Sequence, residues 1–396
     1  MNVRTSLIAL AAIAAGCSPA PSPEVAQPGP APAVAPVQVD TMPAASAPAP
    51  APAPSLQEAT KPPPAPTPAP VVTYKGAFAT PESVLYDPVG DRYLVTNING
   101  KPDGAGDNNG FISELSPDGT IKTPKLIAGG EKGAKLDAPK GSAIVRGELW
   151  VSDISVVRKF DLKTLAYKGD IALPGATFAN DMVLGPDGRV FVSDSSVKVT
   201  DKGFESNNGD QVLAIDKNGK VKVVAKMKEL GGPNGLFFSG KDLLVNTLQS
   251  DELFRLSDDG KKEDVTKLPR GGLDGLLVVG DTVLCSSWGA STIYKGKLGG
   301  SFEPVVQNVK GPADFGWDSK RHRILVPRFM EDAVEVYEVA LPAATAAKPA
   351  DPKAATPATP AKPADPKAAT PATPAKPADP KAAAPAPAAP AAPPAK

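Results

Sequence analysis

Gly231-Gly232-Pro233-Asn234-Gly235-Leu236-Phe237-Phe238-Ser239-Gly240-Lys241-Asp242-Leu243-Leu244-Val245-Asn246-Thr247 reads as a turn, an apolar strand, a tight turn and a second strand. Aligned on this stretch, the middle of the chain contains six units. The first opens at Pro81-Glu82-Ser83 and returns through Asp91–Thr96; the second opens at Pro139-Lys140-Gly141 and returns through Gly147–Ser152. The third opens at Ala179-Asn180-Asp181, and the fourth is the quoted stretch. The fifth opens at Leu273-Asp274-Gly275 and the sixth at Pro312-Ala313-Asp314. Successive units begin 58, 40, 54, 40 and 39 residues apart. Each continues with a third and often a fourth β-rich run, such as Ile112–Leu115 before Asp118-Gly119, or Val212–Asp216 before Asn218-Gly219. Asp-Gly and Asn-Gly pairs tolerate positive φ and suit hairpin turns. Four short strands per unit, repeated six times, predict an all-β six-bladed β-propeller. No segment keeps a helical period over several turns, and a β-sandwich would leave the repeat unexplained.

Composition places this propeller at residues 73–342, between two Pro/Ala-rich segments. Residues 17–72 and 343–396 bury too little apolar surface to offset their ordering entropy, so both read as disordered and rich in polyproline II. At ~3.1 Å per residue the N-terminal tether would reach roughly 150 Å. The tail repeats Lys-Pro-Ala-Asp-Pro-Lys-Ala-Ala-Thr-Pro-Ala-Thr-Pro-Ala from Lys348 and again from Lys362. It is a weakly basic spacer, or a segment making weak contact with an acidic cell-envelope polymer. Lys+Arg and Asp+Glu each number 43, so no global field favours nucleic acid. A monomer is expected.

Residues 1–16 combine Arg4, an apolar run from Leu7 to Ala15 and small residues before Cys17. The run is too short to span a bilayer and reads as a signal peptide. Ala14-Ala15-Gly16-Cys17 resembles a bacterial lipobox, which would make Cys17 the lipidated first residue of the mature protein. A plain secreted protein cut near Gly16 is the alternative. Ser18 resembles the outer-membrane sorting type. The expected location is therefore the bacterial cell envelope, at the outer membrane and facing periplasm or surface. Only Cys285 remains as a second cysteine, in a strand-like run, and it reads as a small buried hydrophobe.

In a propeller the first strand of each blade lines the central channel, so its first residues converge at one mouth. Those positions are Glu82, Lys140, Asn180, Asn234, Asp274 and Ala313. Hard oxygen donors of this kind suit Ca²⁺, Mg²⁺ or Mn²⁺. The alternative is that Asn and Asp before Gly only cap strand ends. The sole histidine, His322, falls in a charged turn, so neither a zinc cluster nor a Ser-His-Asp triad is expected.

Pro81-Glu82, Asn180-Asp181, Pro233-Asn234-Gly235 and Asp274-Gly275 resemble the senescence-marker-protein/gluconolactonase (regucalcin-like) family over the propeller region. The resemblance implies one axial divalent cation, calcium foremost, held by Glu82, Asn234 and Asp274. It implies that Asn180 lies beside the metal and touches substrate, and that Asp274 is the general base of lactone hydrolysis. Two positions depart from the pattern. Phe178 stands where the family's sugar-lactone hydrolases carry an Arg, which argues against a polar sugar lactone. Lys140 is unexpected near a cation: it points away, binds an anionic substrate group, or weakens the metal site.

The loops after the second strands should roof this mouth, and two are long, residues 97–110 and 194–211. They read either as lids or as solvated hairpin loops. Two functional classes stay open: an envelope-anchored, metal-dependent lactonase or esterase acting on a small molecule, and a non-catalytic propeller serving as a tethered ligand- or protein-binding module. A strictosidine-synthase-like condensation shares the fold but has no distinguishing residue.

Overall fold

The computed structural model describes residues 66–341. The signal segment, Cys17, most of the tether and the repeat tail lie outside the described residues. Within them the chain forms six four-stranded antiparallel sheets, one two-stranded hairpin and no α-helix. These are the six blades of a propeller.

Blade one runs outward through Pro81–Asp87, Arg92–Asn97, Phe111–Leu115 and Ile121–Ala128. The innermost strands of the next four blades are Pro139–Val145, Ala179–Leu184, Pro233–Ser239 and Leu273–Val279. Their apolar residues face neighbouring sheets rather than a single centre. Six buried clusters result, one at each blade-to-blade interface. Between blades two and three, for example, Trp150 and Val157 meet Met182, Val192 and Leu213. Cys285 is buried in the cluster joining blades four and five, and burial pushes its thiol up to about 12.

Blade six is built from both ends of the described chain. Gly316–Asp318, Arg323–Arg328 and Ala333–Glu338 supply three strands, and Val72–Lys75 supplies the outermost. Val72 lies opposite Val336 and Lys75 opposite Ala333. The closing strand begins one residue before the boundary at 73 that the composition marks, although nothing in its four residues identifies it as the strand that completes blade six. Closure by backbone hydrogen bonds ties the ring together and covers an otherwise open sheet edge. Tyr74 is buried, and its hydroxyl donates to the Ser116 carbonyl at 2.6 Å, joining blade six to blade one.

Five inner strands share a second feature. Their register with the next strand shifts just after the first residue, between Pro81 and Ser83, Pro139 and Ser142, Ala179 and Met182, Pro233 and Leu236, and Leu273 and Leu276. Such bulges re-aim a side chain and tighten the local twist. Glycine permits the close approach they require: a Cβ at Gly235 would stand 2.2 Å from the Asp274 carbonyl oxygen. The inner strand of blade six is cut to three residues. There Asp314 instead donates its N–H to the Glu82 carbonyl at 3.0 Å, coupling blade six to blade one at the axis.

Candidate metal and substrate site

The bulges turn the first inner-strand side chains toward one mouth. Glu82, Lys140, Asn180, Asn234 and Asp274 all line one cavity there, together with Phe178. Ala313 is fully buried and adds no side chain to that wall. The cavity measures about 20 Å³, room for one water-sized or ion-sized occupant.

Three residues that line this cavity each carry a buried oxygen with no hydrogen-bond partner: Glu82 Oε2, Asn234 Oδ1 and Asp274 Oδ1. Each belongs to a residue that the family resemblance marks as a metal ligand. The other sides of two of these groups are fixed. Asn234 Nδ2 donates to the Leu273 carbonyl at 2.9 Å, which leaves Oδ1 free. Trp288 Nε1 donates to Asp274 Oδ2 at 2.8 Å, which leaves Oδ1 free. Buried acceptors left unmade are costly, so three on one small cavity mark a place for a hydrogen-bond donor or a cation. The donor set contains two carboxylates and an amide. No group of three or more His, Cys, Asp and Glu able to hold a metal occurs among the described residues. A cation here would thus depend on the Asn234 amide and on water or ligand oxygens.

Electrostatics point the same way. Burial first, then Asp274 and Asp314, raise the Glu82 carboxyl well above the usual range. Burial, then Asp314, pushes Asp274 up to about 8, opposed by the Trp288 hydrogen bond. Lys140 is the one cationic side chain on the cavity, and burial holds its ammonium below the ordinary lysine range. It does not point away. Its Nζ donates to the Ala138 carbonyl at 3.1 Å and lies 4.3 Å from the centre of the Phe178 ring. The Phe178 ring thus carries a neighbouring cation on its face, a favourable contact when desolvated. Asn180 Nδ2 donates to Ser195 Oγ at 3.1 Å, which holds the amide on the cavity wall.

Several residues on this mouth escape a reading of inner strands alone. Ile98, Leu248, Trp288 and Phe329 also line the cavity. Each directly follows a second strand, after Asn97, Thr247, Ser287 and Arg328. Ser195 occupies the same phase in blade three. The repeat alignment contains this signal, one residue beyond the point where each apolar run ends.

The two long loops differ. Residues 97–110 supply Ile98 and Pro102 to the cavity. Residues 194–211 are not a plain loop: they hold the hairpin Val197–Thr200 and Gly203–Ser206. Asp103 of the first loop accepts the Val199 N–H at 2.9 Å, tying the two together. Phe204 on the hairpin packs edge-on against Phe178 and Trp288, at ring separations of 6.1 and 6.3 Å. Trp288 in turn packs on Phe329 at 4.8 Å. Outside Phe204, Leu248 and Trp288 lies a wider vestibule of about 460 Å³. These three side chains line both spaces and so partition them.

Fold and site together define a six-bladed propeller with an acidic, aromatic-walled cavity on its axis. No family model matches the chain, and no curated protein matches it. Among solved structures it is similar to a protein inferred to be a gluconolactonase, with a TM-score of 0.52 and 17% identity, covering 69% of this chain and 93% of the other. A gluconolactonase from Xanthomonas campestris gives a TM-score of 0.52 and 16% identity, covering 67% and 88%. A calcium-binding regucalcin from Agrobacterium tumefaciens gives 0.47 and 15%, covering 68% and 95%. The first two are likenesses of fold, and that fold is a propeller of the kind built here.

Proposed function

We propose that this protein is a divalent-cation-dependent hydrolase of apolar lactones or esters, held at the bacterial cell envelope through a lipid on Cys17. The observation that carries the reading is the set of three unpartnered oxygens on Glu82, Asn234 and Asp274, three residues that line one ion-sized cavity. Hard oxygens favour calcium, with magnesium or manganese as alternatives. When bound, such a cation polarises an acyl carbonyl and acidifies the attacking water.

The chain's own residues divide the remaining work. Asp274 has one oxygen fixed by Trp288 and one facing the cavity, so it is placed to take a proton from water. Asn180 is placed to donate to or accept from a substrate oxygen. Lys140 brings a positive charge toward a developing oxyanion or a substrate carboxylate. Phe178, Phe204, Trp288 and Phe329 offer flat apolar walls and no guanidinium, which supports an apolar acyl group over a polyhydroxylated sugar.

One observation favours the non-catalytic alternative. Phe204, Leu248 and Trp288 separate the inner cavity from the vestibule, so a sealed cation could merely close the channel. Metal analysis and an assay panel of apolar lactones and aryl esters separate the readings. The full chain should retain about one divalent ion and hydrolyse members of the panel. Glu82→Gln should lose the ion, and Asp274→Asn should lose turnover by roughly 10²-fold or more. Equal metal in wild type and Glu82→Gln would overturn the metal site. Bound metal without turnover would leave the binding module. Palmitate labelling abolished by Cys17→Ser checks the anchor.

A further inference from the structure

The far half of the axial channel opens on the opposite face as a funnel of about 400 Å³. Its walls include Val84, Ala143, Leu236, Leu276 and Phe315, with Phe238 and Trp317 nearer the rim. Its polar groups are few: Ser83, Ser142, Asp181 and Asp314. This is the size and lining of a small-molecule pocket, apolar with a handful of convergent polar atoms.

The polar groups are unevenly satisfied. Asp181 accepts the Leu236 N–H at 2.7 Å and the Met182 N–H at 2.6 Å. Asp314 Oδ2 accepts the Ser83 hydroxyl at 2.6 Å. Ser142 is only 8% exposed, lines the funnel, and its Oγ has no partner. No Lys, Arg or His lines the funnel, so two acidic groups face an apolar space without a countercharge. A carboxylate in such surroundings is stabilised by an incoming cation, and apolar walls reject a strongly hydrated one.

We propose that this funnel is a second ligand site, separate from the opposite mouth, that binds a primary amine carried on an apolar body. The ammonium meets Asp314 and Asp181, Ser142 Oγ accepts one of its N–H groups, and the apolar body packs between Leu236, Leu276 and Phe315. Binding at this funnel requires neither hydrolysis nor a cation at the other mouth.

Titrating the full chain with phenethylamine, and with 2-phenylethanol as its neutral counterpart, tests it. Trp317 is at this funnel and Trp288 at the other mouth, so tryptophan fluorescence reports position. The amine should bind at least tenfold more tightly than the alcohol. Its signal should survive Trp288→Phe and vanish in Trp317→Phe. Asp314→Asn should erase the preference for amine over alcohol. Ser142→Ala, which removes an unpartnered hydroxyl without opening a cavity, should weaken the amine several-fold even if Asp314→Asn fails to fold. Equal affinity for amine and alcohol would overturn the proposal. So would a signal carried by Trp288, or no response to the amine at all.

Discussion

Asp274 shows how one hydrogen bond sets a side chain's chemistry. Burial and Asp314 push its carboxyl up, while the indole of Trp288, 2.8 Å from Oδ2, holds it down. Trp288→Phe keeps an aromatic ring at this position but removes the donor together with part of the indole packed on Phe204 and Phe329. A hydrogen bond to a charged group contributes roughly 1.5–3 kcal/mol, so losing it should raise the carboxyl by about 1–2 pH units. Hydrolysis that needs ionised Asp274 should then rise with pH along a limb displaced upward by that amount. At neutral pH the variant should be slower than wild type, and it should recover in alkali. A uniform loss at all pH values would show that Trp288 serves packing alone. Asp274 itself was legible in the sequence, because its place in the repeat carries it to the axis. Trp288 lies one residue beyond the second strand Thr282–Ser287, a repeat position whose place on the mouth shows only when the ends of the second strands are compared as well as the starts of the inner ones.

At the scale of elements, the strand Val72–Lys75 has the largest consequence for its length. Four residues close the ring, and Tyr74 fills the interface between blades six and one. Tyr74→Ala should cost on the order of 3–5 kcal/mol, as large-to-small changes in buried aromatics do. Tyr74→Phe, which loses only the bond to Ser116, should cost about 1 kcal/mol. A chain starting at residue 66 should melt cooperatively. One starting at residue 76 should melt far lower and aggregate through the uncovered edge of Ala333–Glu338. Urea and thermal melts check all four proteins. The strand is hidden in the sequence because it is too short to show an alternation and follows directly on a Pro-rich run. Its partner lies some 260 positions away, at Val336 and its neighbours. The hairpin at Val197–Thr200 and Gly203–Ser206 is similarly obscure, since half its residues are polar and solvent-facing.

At the scale of the whole molecule, the axis concentrates acidic groups. Burial raises Glu82 and Asp181 well above the ordinary range, takes Asp274 up to about 8 and Asp314 up to about 6. Groups raised on folding stabilise fully below their unfolded values, near pH 4, because the folded state then keeps its protons at no disadvantage. That stability is lost as pH rises through the folded values. In a metal chelator the melting temperature should therefore fall between about pH 4 and pH 8, and saturating calcium should flatten the slope. A melting temperature that rises over that window in chelator would contradict the electrostatics of the axis. Sequence alone carries the number of blades and the residues that begin the inner strands of the first five, Pro81, Pro139, Ala179, Pro233 and Leu273; blade six departs at both its inner and its outermost strand. Alternation and turn chemistry are local properties, and repetition multiplies a weak local signal until it is unambiguous. Only the tertiary structure decided which ring members share a cavity, that Lys140 points into it over Phe178, and that Asp181 and Asp314 line a separate funnel. Those outcomes depend on bulges that re-aim side chains and on contacts between blades far apart in the chain, and neither is written in the spacing of any one unit.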